Sequence, residues 1–509
     1  MTGTAARTNA AARTGEAALT GWPQAPVIYE VNTWPWLRDL SEQAGRPLTL
    51  ADVPDSAWDA VVPADVNAVW LMGVWERSPA GYEIACRNQE LMAAFRAALP
   101  DLVPQDIAGS PYCVRRYVVD DHLGGPAALA AARQQLRLRS ARLVLDYVPN
   151  HVAPDHPWVQ AHPQRFIRGS ALDRAQAPQA WFDLHGQVLA HGRDPYFPPW
   201  PDVVQLNAFE QETRDAMVEV LTDIGEQCDG VRCDMAMLLL NDVFARTWGT
   251  WAGEPAQDEL WPGVLAAVRS RHPQMAFIAE AYWDLEWRLQ QQGFDYCYDK
   301  RLYDRLVHES AESVRAHLLA DQDYQRRLVR FIENHDEPRA ATALAGPRAL
   351  AAAVTVATVP GATLWHDGQF EGRRRQLPVF LGRRPVEPLD PAARDFYHRL
   401  LTAVGEHRLR EGSWSLLDCT GWPDNPTSRN LVAWAWSRPD AGHVIVVNLS
   451  GAPAQARIPL PWPQLADGVR HVEDLLQLSR FERDGDELIS PGLFVDLPPW
   501  GFHLLAIDL

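Results

Sequence analysis

Lysine is almost absent from this 509-residue chain. Lys300 is the only one, and arginine supplies the rest of the 47 basic side chains. Against 65 acidic residues the formal net charge is −18. Such a surface repels phosphate backbones and anionic lipid, so no nucleic-acid and no membrane partner is expected. Nor does any stretch approach the ~20 apolar residues of a membrane span. Cysteine is sparse: Cys86, Cys113, Cys228, Cys233, Cys297 and Cys419 are scattered without a CxxC pair. That pattern fits reduced thiols in a cytoplasm rather than a disulfide framework. The first 21 residues are rich in Ala, Thr and Arg and lack the apolar core of a signal peptide, so they read as a disordered tail on a cytoplasmic protein. Repeats at solenoid periods are missing as well.

What is present is globular. Hydrophobic residues make up 47% and charged residues 22%, which excludes wholesale disorder and fibrous classes. Tryptophan is plentiful, at 21 against 15 Phe and 12 Tyr. Most of these indoles belong in a core, but the side chain also suits stacking on half-apolar rings such as sugars.

Short apolar runs recur at Val27–Val31, Val66–Trp75, Leu143–Val148, Gly230–Asp234, Phe277–Ala281, Phe294–Tyr298, Leu328–Ile332 and Thr363–Trp365. Between them lie helical patterns such as Pro126–Leu138, Glu210–Ile224, Ala256–Arg269, Arg301–Leu319 and Pro347–Ala357. Apolar strands alternating with helices are covered on both faces, and eight of them predict an α/β fold of the (β/α)₈ TIM-barrel kind. The fifth and sixth runs are separated only by Asp284–Gln292. The third and fourth are far apart, and the Pro-, His- and Trp-rich stretch 152–207 reads as a small excursion domain on the catalytic rim. From 412 to 509 short strands broken by Pro, Gly and Asp predict a C-terminal antiparallel β domain, a β-sandwich, leaving 22–411 for the catalytic barrel.

Catalytic groups of such barrels sit where strands end. The third run finishes in Asp146-Tyr147-Val148-Pro149-Asn150-His151, the fourth in Arg232-Cys233-Asp234, the fifth in Glu280, and the seventh in Glu333-Asn334-His335-Asp336. Arg232 and Asp234 are two apart on a strand and share the interior face, so the guanidinium favours an ionised, nucleophilic carboxylate. Glu280 follows an apolar run without an equivalent cation, and burial there would keep it protonated, as a general acid requires. One ionised and one protonated carboxyl ~5–5.5 Å apart are the apparatus of retaining glycoside hydrolysis.

These four segments resemble the conserved regions of the α-amylase superfamily, glycoside hydrolase family 13, over residues 25–405. The resemblance implies Asp234 as nucleophile, Glu280 as general acid/base and Asp336 as transition-state stabiliser. It implies that Arg232 holds the nucleophile, that His151 and His335 bind the sugar, and that Asp146 and Asn150 brace that end of the barrel. Gly109-Ser110-Pro111-Tyr112 is similar to the loop whose tyrosine stacks under the sugar, which nominates Tyr112. Cys113 stands where many exo-acting relatives carry Asp. Trp158 reads equally as rim packing or a stacking platform, and Arg339 as a substrate contact or a partner of Glu333. Many amylases of the family tie the excursion domain to the barrel with Ca²⁺, through the counterpart of Asn150 and the carbonyl of a Lys-His pair that here reads Met237-Leu238. Asp155, Asp173, Asp183, Asp194 and Asp202 read as turn residues and caps, so neither a metal nor a cofactor is expected. The expected activity is a retaining α-glycosidase on an α-linked glucan or oligosaccharide. A transglycosylase using the same residues, and a non-catalytic carbohydrate-binding barrel, are the alternatives.

Overall fold

Eight short strands, every residue of each buried, close into a parallel ring: β1 (Val27–Asn32), β2 (Ala68–Met72), β3 (Arg142–Tyr147), β4 (Gly230–Cys233), β5 (Ala276–Ala279), β6 (Tyr296–Tyr298), β7 (Leu328–Arg330) and β8 (Ala362–His366). Their order is β1-β8-β7-β6-β5-β4-β3-β2, a (β/α)₈ barrel. The computed structural model describes residues 21–509, so the tail expected over 1–21 lies outside the described residues but for Gly21.

Several strands end earlier than the apolar runs suggest, β2 and β7 with the most consequence. Gly73, at φ 76°, turns the chain after β2, and Trp75–Arg77 leaves the barrel to pair antiparallel with Val114–Val119. β7 stops at Arg330, which leaves Phe331 to Asp336 in the loop above it. The covering helices Gly125–Leu138, Gln211–Gln227, Leu260–Arg271 and Pro347–Thr358 lie close to their expected places. The expected helix Arg301–Leu319 is instead two, Lys300–His308 and Ala311–His317, because Glu309 and Ser310 are extended. Pro391–Glu406, begun by Pro391 and capped by the Asp390 carboxylate on two backbone N–H groups, follows β8. Only Glu286–Gln291 separates β5 from β6.

The excursion between β3 and β4 carries a four-stranded antiparallel sheet in the order His151–Val152, Trp200–Gln205, Gln187–Gly192, Trp181–Leu184. After the barrel, a six-stranded antiparallel sheet is faced by the pair Ala454–Ile458 and Leu493–Leu497. Alternation sets its two faces. Ala433, Ala435, Val444 and Val446 pack on that pair, while Trp434, Trp436, Ile445 and Val447 join the barrel's core. Both indoles donate to the Thr358 carbonyl at the end of a barrel helix, at 3.2 and 2.7 Å. More than half of the tryptophans are buried. All six cysteines are free, and among the described residues no helix is long and apolar enough to cross a membrane.

Candidate active site

The ladders that close the barrel continue one residue past β4 and β5. Asp234 N–H donates to the Tyr147 carbonyl at 2.8 Å, and Glu280 N–H to the Cys233 carbonyl at 3.0 Å. Since Asp146 lies beside Arg232 in register, three strand ends carry their charged side chains to one mouth. Arg232 is the hub, with a side chain 1% exposed. Its Nη1 donates to Asp234 Oδ1 at 2.6 Å, and its Nη2 lies 2.8 Å from Glu280 Oε2. The guanidinium is stacked among Trp70, Tyr112 and Tyr298, at 5.3, 5.3 and 5.6 Å from their ring centres.

Glu280 therefore does have a cation, which corrects the expectation that it is buried without one. Burial still outweighs it: the carboxyl is pushed up to about 7, Arg232 pulling down and Asp234 and Asp336 adding to the rise. Burial also raises Asp234, against the pull of Arg232. The contact to Asp234 is an aligned hydrogen bond, whereas Nη2 reaches Glu280 without hydrogen-bond alignment. Negative charge thus rests best on Asp234 and the proton on Glu280. Glu280 Oε2 also accepts from the Met235 N–H at 2.6 Å, and Oε1 accepts from the Tyr282 hydroxyl at 2.8 Å. Met235 holds its N–H there from a left-handed backbone, φ 43°, a cost typical of functional turns.

On the opposite rim Asp336 opens to the cleft, its side chain 45% exposed, and its Oδ2 lies 3.0 Å from His335 Nε2. Partial desolvation at the mouth would raise it, but His335 and Arg232 hold it below the usual carboxylate range. Tyr112 brings its hydroxyl 2.6 Å from the same Nε2. His151 is buried against Trp200, with ring centres 5.2 Å apart, and burial lowers it to about 4, which keeps it neutral. Asp146 stands behind the mouth, accepting from Trp70 Nε1 at 3.2 Å and the Gly73 N–H at 2.9 Å, and so ties β3 to the turn after β2. Asn150 is clasped by Gln205: its Nδ2 donates to Gln205 Oε1 at 3.2 Å, and Gln205 Nε2 donates to Asn150 Oδ1 and to its carbonyl, both at 2.9 Å.

The open readings resolve. Arg339 pairs with Glu333 at 2.6 Å and is 3% exposed, so it stays behind the site. Trp158 packs in the excursion, one face under Arg165 at 4.6 Å. Lys300 is paired with Asp304 and Glu337. Besides Tyr298, three residues at the site escaped the sequence reading. Tyr282 touches Glu280, and Trp70 packs on Arg232 and edge-on against His335. Glu30 lies 2.5 Å from His335 Nδ1. A lone charge inside the buried run Val27–Asn32 was the signal for Glu30; nothing local marks the other two. Beside Glu280 lies a cavity of about 390 Å³ bounded by Met235, Tyr282 and Trp283 from the barrel and by Asp194 and Phe197 from the excursion.

The same arrangement of barrel, excursion and β domain recurs in solved structures. A maltogenic α-amylase, AmyB from Thermotoga neapolitana, superposes with a TM-score of 0.68 at 19% identity, covering 96% of this chain and 99% of that one. The fold is that of the α-amylases. An α-amylase, MalA of Haloarcula japonica, is 21% identical over 332 residues, 63% of this chain and 44% of its own. An α-1,4-glucan:maltose-1-phosphate maltosyltransferase of Burkholderia pseudomallei is 24% identical over 221 residues, 42% of this chain and 16% of its own. The match thus spans less than half the length of either curated relative. No protein-family model matches the chain. The likeness to the α-amylase superfamily holds in sequence and in fold.

The calcium site of many α-amylases does not fit the residues here. Asn150 Oδ1 is committed to Gln205 Nε2, an amide donor where a cation would sit. Asp155 accepts from the Ser78 hydroxyl and pairs with Arg115, Asp173 caps a helix with Ser170, Asp183 faces Arg174, and Asp194 accepts from two backbone N–H groups. Asp202, expected in a turn or cap, instead lies buried within the strand Trp200–Gln205, where burial pushes its carboxyl up to about 6. Among the described residues no group of three or more His, Cys, Asp or Glu side chains is placed to hold a metal.

Proposed function

We propose that this protein is a retaining α-glycosidase of the α-amylase kind, acting on an α-linked glucan or oligosaccharide through a glycosyl-enzyme intermediate. The observation that carries the reading is one buried guanidinium in contact with both Asp234 and Glu280, with Asp336 open across the cleft. A single guanidinium spanning both carboxyls favours the short separation of a retaining pair over the wider gap that holds a water. In this reading Asp234 attacks the anomeric carbon as Glu280 passes its proton to the departing glycosidic oxygen. Glu280, now a carboxylate, then takes a proton from water, which displaces Asp234 and restores the acid. Asp336 stabilises the positive charge that develops on the sugar ring. Arg232 holds Asp234, Tyr112 lies under the reacting sugar, and His335 and His151 bind its hydroxyls. Asp146 and Asn150 brace the strand from behind.

The cavity offers room for the leaving group, because two of its lining residues, Met235 and Tyr282, hydrogen-bond the Glu280 carboxyl. An acceptor sugar could occupy the same space, and that supports transglycosylation as the second reading. The free thiols support a cytoplasmic setting. Proton NMR of the first-formed product from maltooligosaccharides should show the α-anomer; a β-anomer formed first would refute double displacement. Repeating the assay with maltose or glucose as acceptor separates the two readings: new, longer oligosaccharides indicate transfer, unchanged hydrolysis products indicate water as acceptor.

A further inference from the structure

β1 offers two polar side chains to the barrel interior, Glu30 and Asn32, and each meets a histidine. Asn32 Nδ2 lies 3.0 Å from His366 Nε2, and the other nitrogen of that ring faces the Arg339 guanidinium at 2.9 Å and Glu333 at 3.2 Å. Beside that cation the chain supplies a neutral amide. Glu30 Oε1 instead lies 2.5 Å from His335 Nδ1. On the far side of the same ring, Nε2 faces Asp336 Oδ2 at 3.0 Å and the Tyr112 hydroxyl at 2.6 Å. Carboxylate oxygens against both nitrogens are satisfied together only if both carry protons.

Glu30 is an expensive residue to keep there. It is 0% exposed and its Oε2 has no hydrogen-bond partner. A buried carboxylate with one idle oxygen is destabilising by itself, and its one strong contact is to a ring at the catalytic mouth. We propose that Glu30 is a positioning residue that holds His335 as a doubly donating imidazolium, fixing its Nε2–H between Tyr112 and Asp336. The consequence for catalysis rests on the proposed glycosidase reading; the charge state of His335 does not. Burial works against this charge, but the Asp336 and Glu30 carboxylates outweigh it and His335 is raised well above the ordinary range. The groups facing the ring from the packed elements are Glu30 on β1, Tyr112 in the loop beyond Gly109, Asp146 on β3 and Asp336 in its own loop. Trp70 on β2 meets the ring edge-on, 5.4 Å between centres, and brings no charge.

The test is the titration of His335, read by NMR on protein labelled with ¹³C-histidine and assigned with His335→Asn. In the wild type the ring is expected to remain an imidazolium well above the ordinary midpoint of about 6.5. In Glu30→Gln, which keeps the shape and removes the charge, the midpoint should fall by about one to three pH units. Turnover of a glycosyl fluoride, which needs little help from Glu280, should then be lost in Glu30→Gln with the same midpoint as the ring. A His335 midpoint that does not move in Glu30→Gln overturns the proposal, as does a uniform loss of turnover at every pH. If Glu30→Gln does not fold, a wild-type His335 that is neutral at pH 7 overturns it equally. Failure of the wild type to turn over any α-glucoside would count against the glycosidase reading alone, and the His335 midpoint would still support or overturn the role of Glu30.

Discussion

Removing the Gln205 side chain should loosen the excursion from the barrel without touching the carboxylates. Gln205 is 0% exposed, and its amide donates to Asn150 Oδ1 and the Asn150 carbonyl at 2.9 Å and to the Leu206 carbonyl at 3.0 Å, while accepting from Asn150 Nδ2. In Gln205→Ala the Asn150 carbonyl keeps its partner in the Leu206 N–H. Asn150 Oδ1 and the Leu206 carbonyl lose theirs. A buried polar group left unpaired costs about 1–3 kcal/mol, so the expected destabilisation is about 3 kcal/mol. For a protein of this size that lowers the melting temperature by about 3 °C. The assay is thermal unfolding followed by circular dichroism, with and without EDTA, on wild type and variant. Because the amide clasp occupies the position of a metal ligand, chelation should leave the wild-type melting temperature and activity unchanged. A large wild-type loss in EDTA, restored by Ca²⁺ and not by Mg²⁺, would refute the reasoning, since Asn150 would then have to release Gln205 to bind the ion.

Asp234→Asn should abolish turnover of every glycoside while leaving the melting curve near that of the wild type, read by reducing-sugar release and calorimetry. Glu280→Gln should lose about 10²–10⁴-fold on natural glycosides, the usual worth of a general acid, and recover in part on a glycosyl fluoride; equal loss on both would show that Glu280 is not the acid. The pH profile of kcat/KM should fall on the alkaline side near pH 7, where Glu280 loses its proton. The same raised carboxyl binds a proton that the unfolded chain has released between about pH 4.3 and 7, so it costs stability as pH rises through that window. Glu280→Gln should accordingly be more stable than the wild type at pH 8, by up to about 4 kcal/mol, and not at pH 4, measured by denaturant unfolding.

Much of the site was legible because the barrel makes strand ends local signals. Asp146, Arg232, Asp234 and Glu280 each close an apolar run, and a run of four to six buried residues can be read without knowing what it packs against. Arg232 and Asp234 shared a face by the two-residue period alone. Weakly apolar strands were not legible. Val469–Asp474 and Ser479–Asp484 alternate buried with exposed, or show no buried residue at all, and only their ladder partners make them strands. The two-helix break at Glu309 and Ser310 hid for a similar reason: the apolar period runs across it.

By itself, then, the sequence determined the barrel, the excursion, the β domain and the charged residues that close the strands, because each rests on short-range periodicity and on what terminates it. The tertiary structure alone decided how those residues are paired. That Arg232 serves Glu280 as well as Asp234, that Glu30 meets His335 from 305 residues away, and that Gln205 takes the Asn150 amide across 55 residues are outcomes of ring closure. Such pairings set which carboxyl keeps its proton and which histidine carries charge. Both depend on burial and on the nearest charge in space, and neither quantity is written in the neighbouring residues of the chain.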